Sequence, residues 1–181
     1  MDKVLYTDND GLICHYAAAF ADFVGCKDPD FDTYHVGQAC GIEMADFEGI
    51  LHDFHLRGLQ EFAPLMDASA PPALRQAKNE GWFIHVITAR PVEKYPRMVG
   101  ETHRWYKNFD IPYDAISFDK KKSVVVGRGC IIEDSAINAM EVALAGGKVV
   151  LVNRVYNQGT SHPNIRRAGT YAEAVDILKG W

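Results

Sequence analysis

The chain is poor in cysteine, and the four it has form no pattern. Cys14, Cys26, Cys40 and Cys130 stand far apart with no C-x-x-C pair, so neither a disulfide framework nor a cysteine zinc cluster is indicated. Reduced thiols in a cytoplasmic protein are the expectation. Basic charge is also scarce: 19 Lys plus Arg face 24 Asp plus Glu, a formal net charge of −5. That balance lacks the footprint that holds duplex nucleic acid. Long apolar runs are missing too, the longest lying around Trp82–Ile87 and Val149–Val152, far short of the roughly 20 residues that cross a bilayer. The opening MDKVLYTDND is polar and acidic where an export signal is basic and then apolar, so no membrane partner is expected. With 15 Gly, 8 Pro, no internal repeat and no low-complexity tract, fibrous and disordered classes are excluded.

What is present is an ordinary globular composition. The 181 residues, 48% hydrophobic and 24% charged, suffice for one domain with room for a small insertion. Short β-branched runs at Val4–Thr7, Trp82–Thr88, Ala115–Phe118, Cys130–Ile132 and Lys148–Val152 alternate with helical patterns at Pro72–Glu80, Val92–Asn108, Ser135–Ala145 and Tyr171–Lys179. That alternation predicts a parallel sheet covered by helices. Ser135 can cap the start of its helix and Gly146-Gly147 can end it. The stretch 19–71 breaks the rhythm: Phe47, Ile50, Leu51, Phe54 and Leu59 recur at roughly helical spacing, which reads as a small helical insertion. Pro71-Pro72 marks the return to the main domain.

The polar residues gather at strand ends. The first strand runs into Asp8-Asn9-Asp10-Gly11, the second into Thr88-Ala89-Arg90 and the fourth into Glu133-Asp134-Ser135. In an open parallel sheet the carboxyl ends share one edge, where ligands bind. Carboxylates delivered there from separate segments repel one another unless a cation intervenes, and oxygen-only ligands suit Mg²⁺. The Thr88 hydroxyl, free amides of the Asp10–Gly11 turn and a nearby lysine could then hold an anion beside the metal. A metal-assisted phosphate site is the expectation.

In order along the chain, D-x-D-G at Asp8–Gly11, the threonine of "ITARP", a lysine before the fourth strand and "IIEDSAINA" after it resemble the four motifs of the haloacid dehalogenase superfamily of phosphohydrolases. The resemblance covers most of the chain outside the insertion. It implies a Rossmann-like three-layer α/β/α parallel sheet, with a core of 1–18 and 72–181 and a helical cap, 19–71, inserted after the first strand. It implies further that Asp8 is a nucleophile forming an aspartyl phosphate. Asp10 would be the general acid and then the base, with a pKa raised relative to that of Asp8. Mg²⁺ would be held by Asp8, the Asp10 carbonyl and Asp134, with Glu133 beside it. Thr88 would bind a phosphoryl oxygen, with Gly11 and Ala89 around it, and a lysine would offset charge.

Lys120, Lys121 and Lys122 are consecutive. In relatives the lysine lies about ten residues before the acidic pair, a spacing that Lys122 meets because residues 123–132 intervene; Lys121 is second. Arg90 is read either as a phosphate contact or as the partner of a surface acid. His52 and His55, flanking Asp53, have i, i+3 metal-ligand spacing, but an exposed polar helix face is the favoured reading. Phe20, Phe23, Phe47 and Phe54 could stack a base, although packing within the insertion is their ordinary role.

"TARP", "THRWYKNFDIPYDAISF" and "NRVYN" are similar to the 5′(3′)-deoxyribonucleotidase branch, which implies a nucleoside monophosphate as substrate. Two departures stand out: Val155 replaces an expected proline, and Glu133-Asp134 replaces Asp-Asp. "EDSAINAMEVALAGG" looks more like β-phosphoglucomutase and phosphoglycolate phosphatase, the alternative reading. A dehalogenase would not need Asp10. A receiver-like domain, the alternative from outside enzymes, would take up a phosphoryl group without turning it over.

Overall fold

The computed structural model describes residues 3–181. Six strands form one sheet: β1 (Val4–Thr7), β2 (Phe83–Thr88), β3 (Ala115–Phe118), β4 (Cys130–Glu133), β5 (Lys148–Val152) and β6 (Ile165–Ala168). Every pairing is parallel and the order is β3-β2-β1-β4-β5-β6. The chain therefore reverses its direction of travel across the sheet between β1 and β4, the switch point where such sheets open a crevice at their carboxyl edge.

Both faces of the sheet are covered, as its apolar strands require. Along β5, Val150 and Val152 enter one core with Leu74 and Ala77 of α4 (Ala70–Asn79), Trp105 and Tyr106 of α5 (Arg97–Asn108), and Val175 and Leu178 of α8 (Tyr171–Lys179). The alternate residues Val149 and Leu151 enter a second core with Val126 of α6 (Lys122–Val126) and Ala139 and Val142 of α7 (Ala136–Leu144). The architecture is the expected α/β/α sandwich. Between β1 and α4 run α1 (Tyr16–Phe23), α2 (Val36–Ala39), α3 (Met44–Arg57) and a 3-10 turn, Leu59–Phe62. No helix among the described residues is long and apolar enough to cross a membrane.

Several boundaries differ from the sequence reading. The helix placed over Val92–Asn108 starts only at Arg97, because Lys94 and Tyr95 amides bond back to the Pro91 carbonyl and Pro96 then serves as the cap. The helix placed at Pro72 begins at Ala70, since prolines need no amide partner in a first turn. Strand β6 is additional; its Arg166 and Arg167 interrupt the apolar pattern at the sheet edge. The α7 signals operate as read. Ser135 Oγ accepts from the Asn138 amide at 3.4 Å, and Gly146 follows the helix at φ +91°.

Candidate active site

Backbone pairing fixes the first carboxylate. The Asp8 amide continues the β1–β4 ladder by donating to Ile132 O at 2.9 Å, which leaves the Asp8 side chain over the switch point beside Glu133 and Asp134. Beyond it the chain closes a tight loop in which Ile13 and Cys14 amides both reach Asn9 O at 2.9 Å. Asn9 is buried, held by Tyr106 Oη–H···Oδ1 at 2.8 Å. Gly11 adopts φ +78°, and a Cβ there would overlap the Asp134 carboxylate. A glycine is thus required twice over, by the turn and by the close approach.

Asp8, Glu133 and Asp134 each offer a carboxylate oxygen within 4.8 Å of the others, and all three are buried. Burial, and then Glu133 beside it, pushes Asp8 up to about 7; burial, and then Asp8, pushes Asp134 up to about 7 as well. Glu133 is raised for the same first reason, with Lys122 opposing. Of the two aspartates in the first loop, Asp8 is the more deeply buried and has the acidic neighbours.

Among the three consecutive lysines, Lys122 is the one turned inward. Its Nζ lies 2.7 Å from Asp8 Oδ2 and 2.8 Å from Glu133 Oε2, with its side chain 1% exposed. Burial opposes its charge, but the two carboxylates outweigh that and hold it above the ordinary lysine range. Lys120 and Lys121 are exposed, so Lys121 does not line the site. Glu133 also accepts from Ser135 N at 3.2 Å and Asn138 Nδ2 at 2.9 Å, which ties it to the start of α7.

Asp10 and Thr88 sit together, the Thr88 hydroxyl donating to Asp10 Oδ2 at 3.3 Å. Arg90 lies inside the protein, bonded to Asp10, which sets aside an exposed surface pair, and it is among the residues that line the cavity over Asp8. The Gly11 amide is already spent on Cys14 O at 2.9 Å. Ala89 is exposed and lines a cavity of about 210 Å³ with Asp8, Asp10, Thr88, Lys122 and Asn138. A neighbouring cavity of about 260 Å³ shares Asp10 and is walled by Phe31, Tyr34, His35, Phe47 and Tyr156.

When ionised, Asp8, Asp10, Glu133 and Asp134 carry four negative charges against Lys122 and Arg90. The excess of two matches one divalent cation, and the donors are all oxygens, which fits Mg²⁺. These residues could hold the ion without further charge.

Other residues of the site escaped the sequence reading. His55, placed on an exposed face, is buried instead, its Nε2 2.6 Å from Tyr16 Oη, and burial followed by Arg90 lowers it to about 4. His52 meets Tyr95 Oη at 2.6 Å, so neither histidine is placed for a metal. Phe20 and Phe54 are fully buried in an aromatic cluster with Phe23 and Phe47; only Phe47 reaches a cavity wall. The segment after β5 supplies three more residues. Tyr156 donates to Asp134 Oδ2, Asn157 Nδ2 donates to Asp134 O at 2.7 Å, and Arg154 donates to Gly11 O. The polar "NRVYN" at a strand's carboxyl end was the available signal.

No family model and no curated protein matches the chain. Solved structures do. A haloacid dehalogenase superfamily hydrolase of subfamily IA from Geobacter sulfurreducens aligns with TM-score 0.63 at 15% identity, covering 98% of this chain and 96% of that one. A candidate β-phosphoglucomutase from Thermotoga maritima gives 0.59 at 13%, covering 99% of each. D,D-heptose 1,7-bisphosphate phosphatase from B. bronchiseptica, complexed with magnesium and phosphate, gives 0.57 at 13%, covering 98% of each. The chain has the fold that these hydrolases share.

Proposed function

We propose that the chain is a Mg²⁺-dependent phosphomonoesterase that works through an aspartyl phosphate on Asp8. One observation carries this: a buried lysine bridges Asp8 and Glu133 beside Asp134, at the sheet's switch point, in a site two positive charges short of balance. The fold shared with magnesium-using phosphatases supports the reading, although fold alone does not fix a reaction.

Bound among Asp8, Asp134 and the Asp10 carbonyl, with Glu133 beside them, Mg²⁺ would supply the charge that lets a phosphate approach these carboxylates. The chain's own groups do the rest. An Asp8 oxygen bonds to phosphorus as the bond to the leaving oxygen breaks, and that oxygen takes a proton from Asp10. Water then attacks the same phosphorus, giving a proton back to Asp10, while the Asp8–phosphorus bond breaks to release orthophosphate. Lys122 holds Asp8 in line and offsets the gathering charge. Thr88 turns its hydroxyl to a phosphoryl oxygen once phosphate occupies the cavity that it lines.

The leaving group belongs in the neighbouring cavity. Its lining has seven aromatic or imidazole rings and no Lys or Arg, which suits a flat neutral group better than a second phosphate, so a nucleoside monophosphate is the leading substrate. The segment 19–71 would act as the cap that walls this cavity and excludes water. A sugar phosphate is the second reading, favoured by the heptose-bisphosphate and phosphoglucomutase neighbours.

The test is a panel of nucleoside monophosphates, hexose phosphates and phosphoglycolate assayed in Mg²⁺, with Asp8→Asn as control. Highest kcat/KM among the nucleotides and no turnover by Asp8→Asn are expected. Undiminished turnover of an aryl phosphate by that variant would sink the mechanism, while a sugar phosphate at the top of the panel would sink only the substrate assignment. One phosphorylation per chain without turnover would favour a receiver-like role.

A further inference from the structure

Arg90 follows Thr88 at the end of β2, two residues into the site, yet its side chain is only 2% exposed. A guanidinium has five N–H donors in a fixed fork, and here four of them are engaged. Nε reaches Asp10 Oδ2 at 2.9 Å and Nη2 reaches Asp10 Oδ1 at 2.7 Å, a bidentate clasp. Nη2 also meets Cys14 Sγ at 3.4 Å. Nη1 donates to Thr102 Oγ1 at 2.8 Å, and that hydroxyl passes its own hydrogen to Met98 O at 2.7 Å. The arginine is thereby moored to the first turns of α5.

Asp10 is short of other anchors. It lies in a loop whose next residue is a glycine at positive φ, and its side chain keeps 27% exposure. Besides the arginine it receives Asn9 Nδ2 on Oδ1 at 3.0 Å and the long Thr88 contact on Oδ2. Without the clasp its carboxyl would be free to take several rotamers, and an acid or base 1 Å out of place loses much of its effect.

We infer that Arg90 is a positioning residue: through its bidentate bond it fixes the Asp10 carboxyl between the two cavities, and it does not bind the phosphate itself. The inference rests on the phosphatase reading of the same site. Arg90 lines the smaller cavity, but four of its five N–H groups are directed to Asp10, Thr102 and Cys14, so it has no free fork to offer a phosphate. Thr102 belongs to the same device, because it prevents the guanidinium from swinging toward an arriving anion.

The experiment is a double-mutant cycle on the full chain with Mg²⁺ and 4-nitrophenyl phosphate, whose leaving group departs without a proton, so that Asp10→Asn retains a residual rate. Arg90→Met is expected to lower kcat by about 10²-fold, near the lower end of what acid–base catalysis supplies. Combined with Asp10→Asn it should cost less than about 3-fold more, since groups acting as one unit are not additive. The competitive Ki for orthophosphate should stay within about 3-fold of wild type, which a merely structural loss multiplied across the cycle would not produce. A phosphate ligand would behave otherwise: a Ki raised about 10-fold or more, with multiplying losses, overturns the inference.

Thr102→Val guards against an Arg90 variant that does not fold. It removes only the mooring, so a loss of a few-fold is expected with Asp10 present and none in the Asp10→Asn background; equal losses in both backgrounds overturn the proposal. If the wild-type chain itself turns over no phosphate ester, the phosphatase reading falls first, and the cycle separates that failure from this one.

Discussion

Replacing Lys122 by Met removes the one ammonium that faces Asp8 and Glu133, at 2.7 and 2.8 Å, from a pocket where the three side chains are 1%, 9% and 0% exposed. At an effective dielectric of about 20, each contact is worth roughly 6 kcal/mol before desolvation is charged against it. The net cost of breaking a buried pair by deleting one partner is about 3–5 kcal/mol, because the other charge is left stranded. Asp8 and Glu133 can escape part of this by taking up a proton, which burial already favours for both. The lower end, about 3 kcal/mol, is therefore expected near neutral pH. For a domain of this size that corresponds to a fall in Tm of about 6–12 °C.

The cation then provides the discriminating measurement. In EDTA the variant holds three mutually repelling carboxylates with nothing to offset them, so saturating Mg²⁺ should stabilise it more than it stabilises wild type. At a concentration of about 100 Kd, ligand linkage contributes about 2.7 kcal/mol to either protein, so the gap narrows by the variant's extra affinity alone, about 1.4 kcal/mol for each tenfold. Thermal melts with and without Mg²⁺ decide the matter. A gap below about 2 °C in EDTA, or one that Mg²⁺ leaves unchanged, would refute the ion-pair reasoning. Lys121→Met is the internal control, since an exposed lysine is worth about 0.5 kcal/mol at most.

Two further outcomes follow from the same cluster. Asp8 and Asp134 have folded-state values raised from 3.8 to about 7. For a carboxylate raised on folding, the associated stability is present at low pH and lost as pH climbs from about 4 through about 7, so the metal-free protein is penalised by these two groups above that window. Mg²⁺ needs them ionised. The Tm increment between Mg²⁺ and EDTA should hence grow from pH 5 to pH 8 and then level off; a flat increment would count against these ligands. Gly11→Ala drives a Cβ into the Asp134 carboxylate from a left-handed backbone. It should weaken Mg²⁺ binding by about 10-fold or more in a titration, comparable to losing a ligand's support, and unaltered binding would show that Asp134 is not needed there.

The sheet and its acidic edge were legible because both depend on local pattern. β-branched runs at regular intervals give parallel strands; Asp8 lies directly after its strand, and Thr88 and Glu133 end theirs. Parallel pairing then brings them to one edge by topology alone. Lys122 needed more than local pattern: residues 120–122 are chemically alike, and only the start of α6 decides which lysine points inward. Arg90 stayed open between two readings for a related reason. Its partner Asp10 is 80 residues away and Thr102 lies on another helix, so nothing nearby in sequence distinguishes a clasping arginine from a phosphate-binding one. His55 was misread because α3 is only weakly amphipathic, and burial of a neutral histidine against Tyr16 depends on how the insertion folds back.

That folding back divides the insertion into two parts with different duties. Its second half is fastened to α5: Arg104 forks onto Glu61 with two bonds of 2.6 Å, Arg97 Nη1 reaches Leu56 O at 2.6 Å, and Trp105 Nε1 reaches Ala63 O at 2.7 Å. The same helix α5 moors Arg90 through Thr102, so the fastened half and the Asp10 clasp share one support. The first half, by contrast, meets the main domain through rings, Phe31 against His15 and Tyr34 against Tyr156. Those rings are the walls of the larger cavity. On the phosphatase reading, changes in Phe31 or His35 would alter the larger cavity away from Asp8 and Lys122, whereas Tyr34 lines both cavities. On that reading the wall of the larger cavity and the carboxylate cluster meet at Tyr156, whose hydroxyl binds Asp134 while its ring packs against Tyr34.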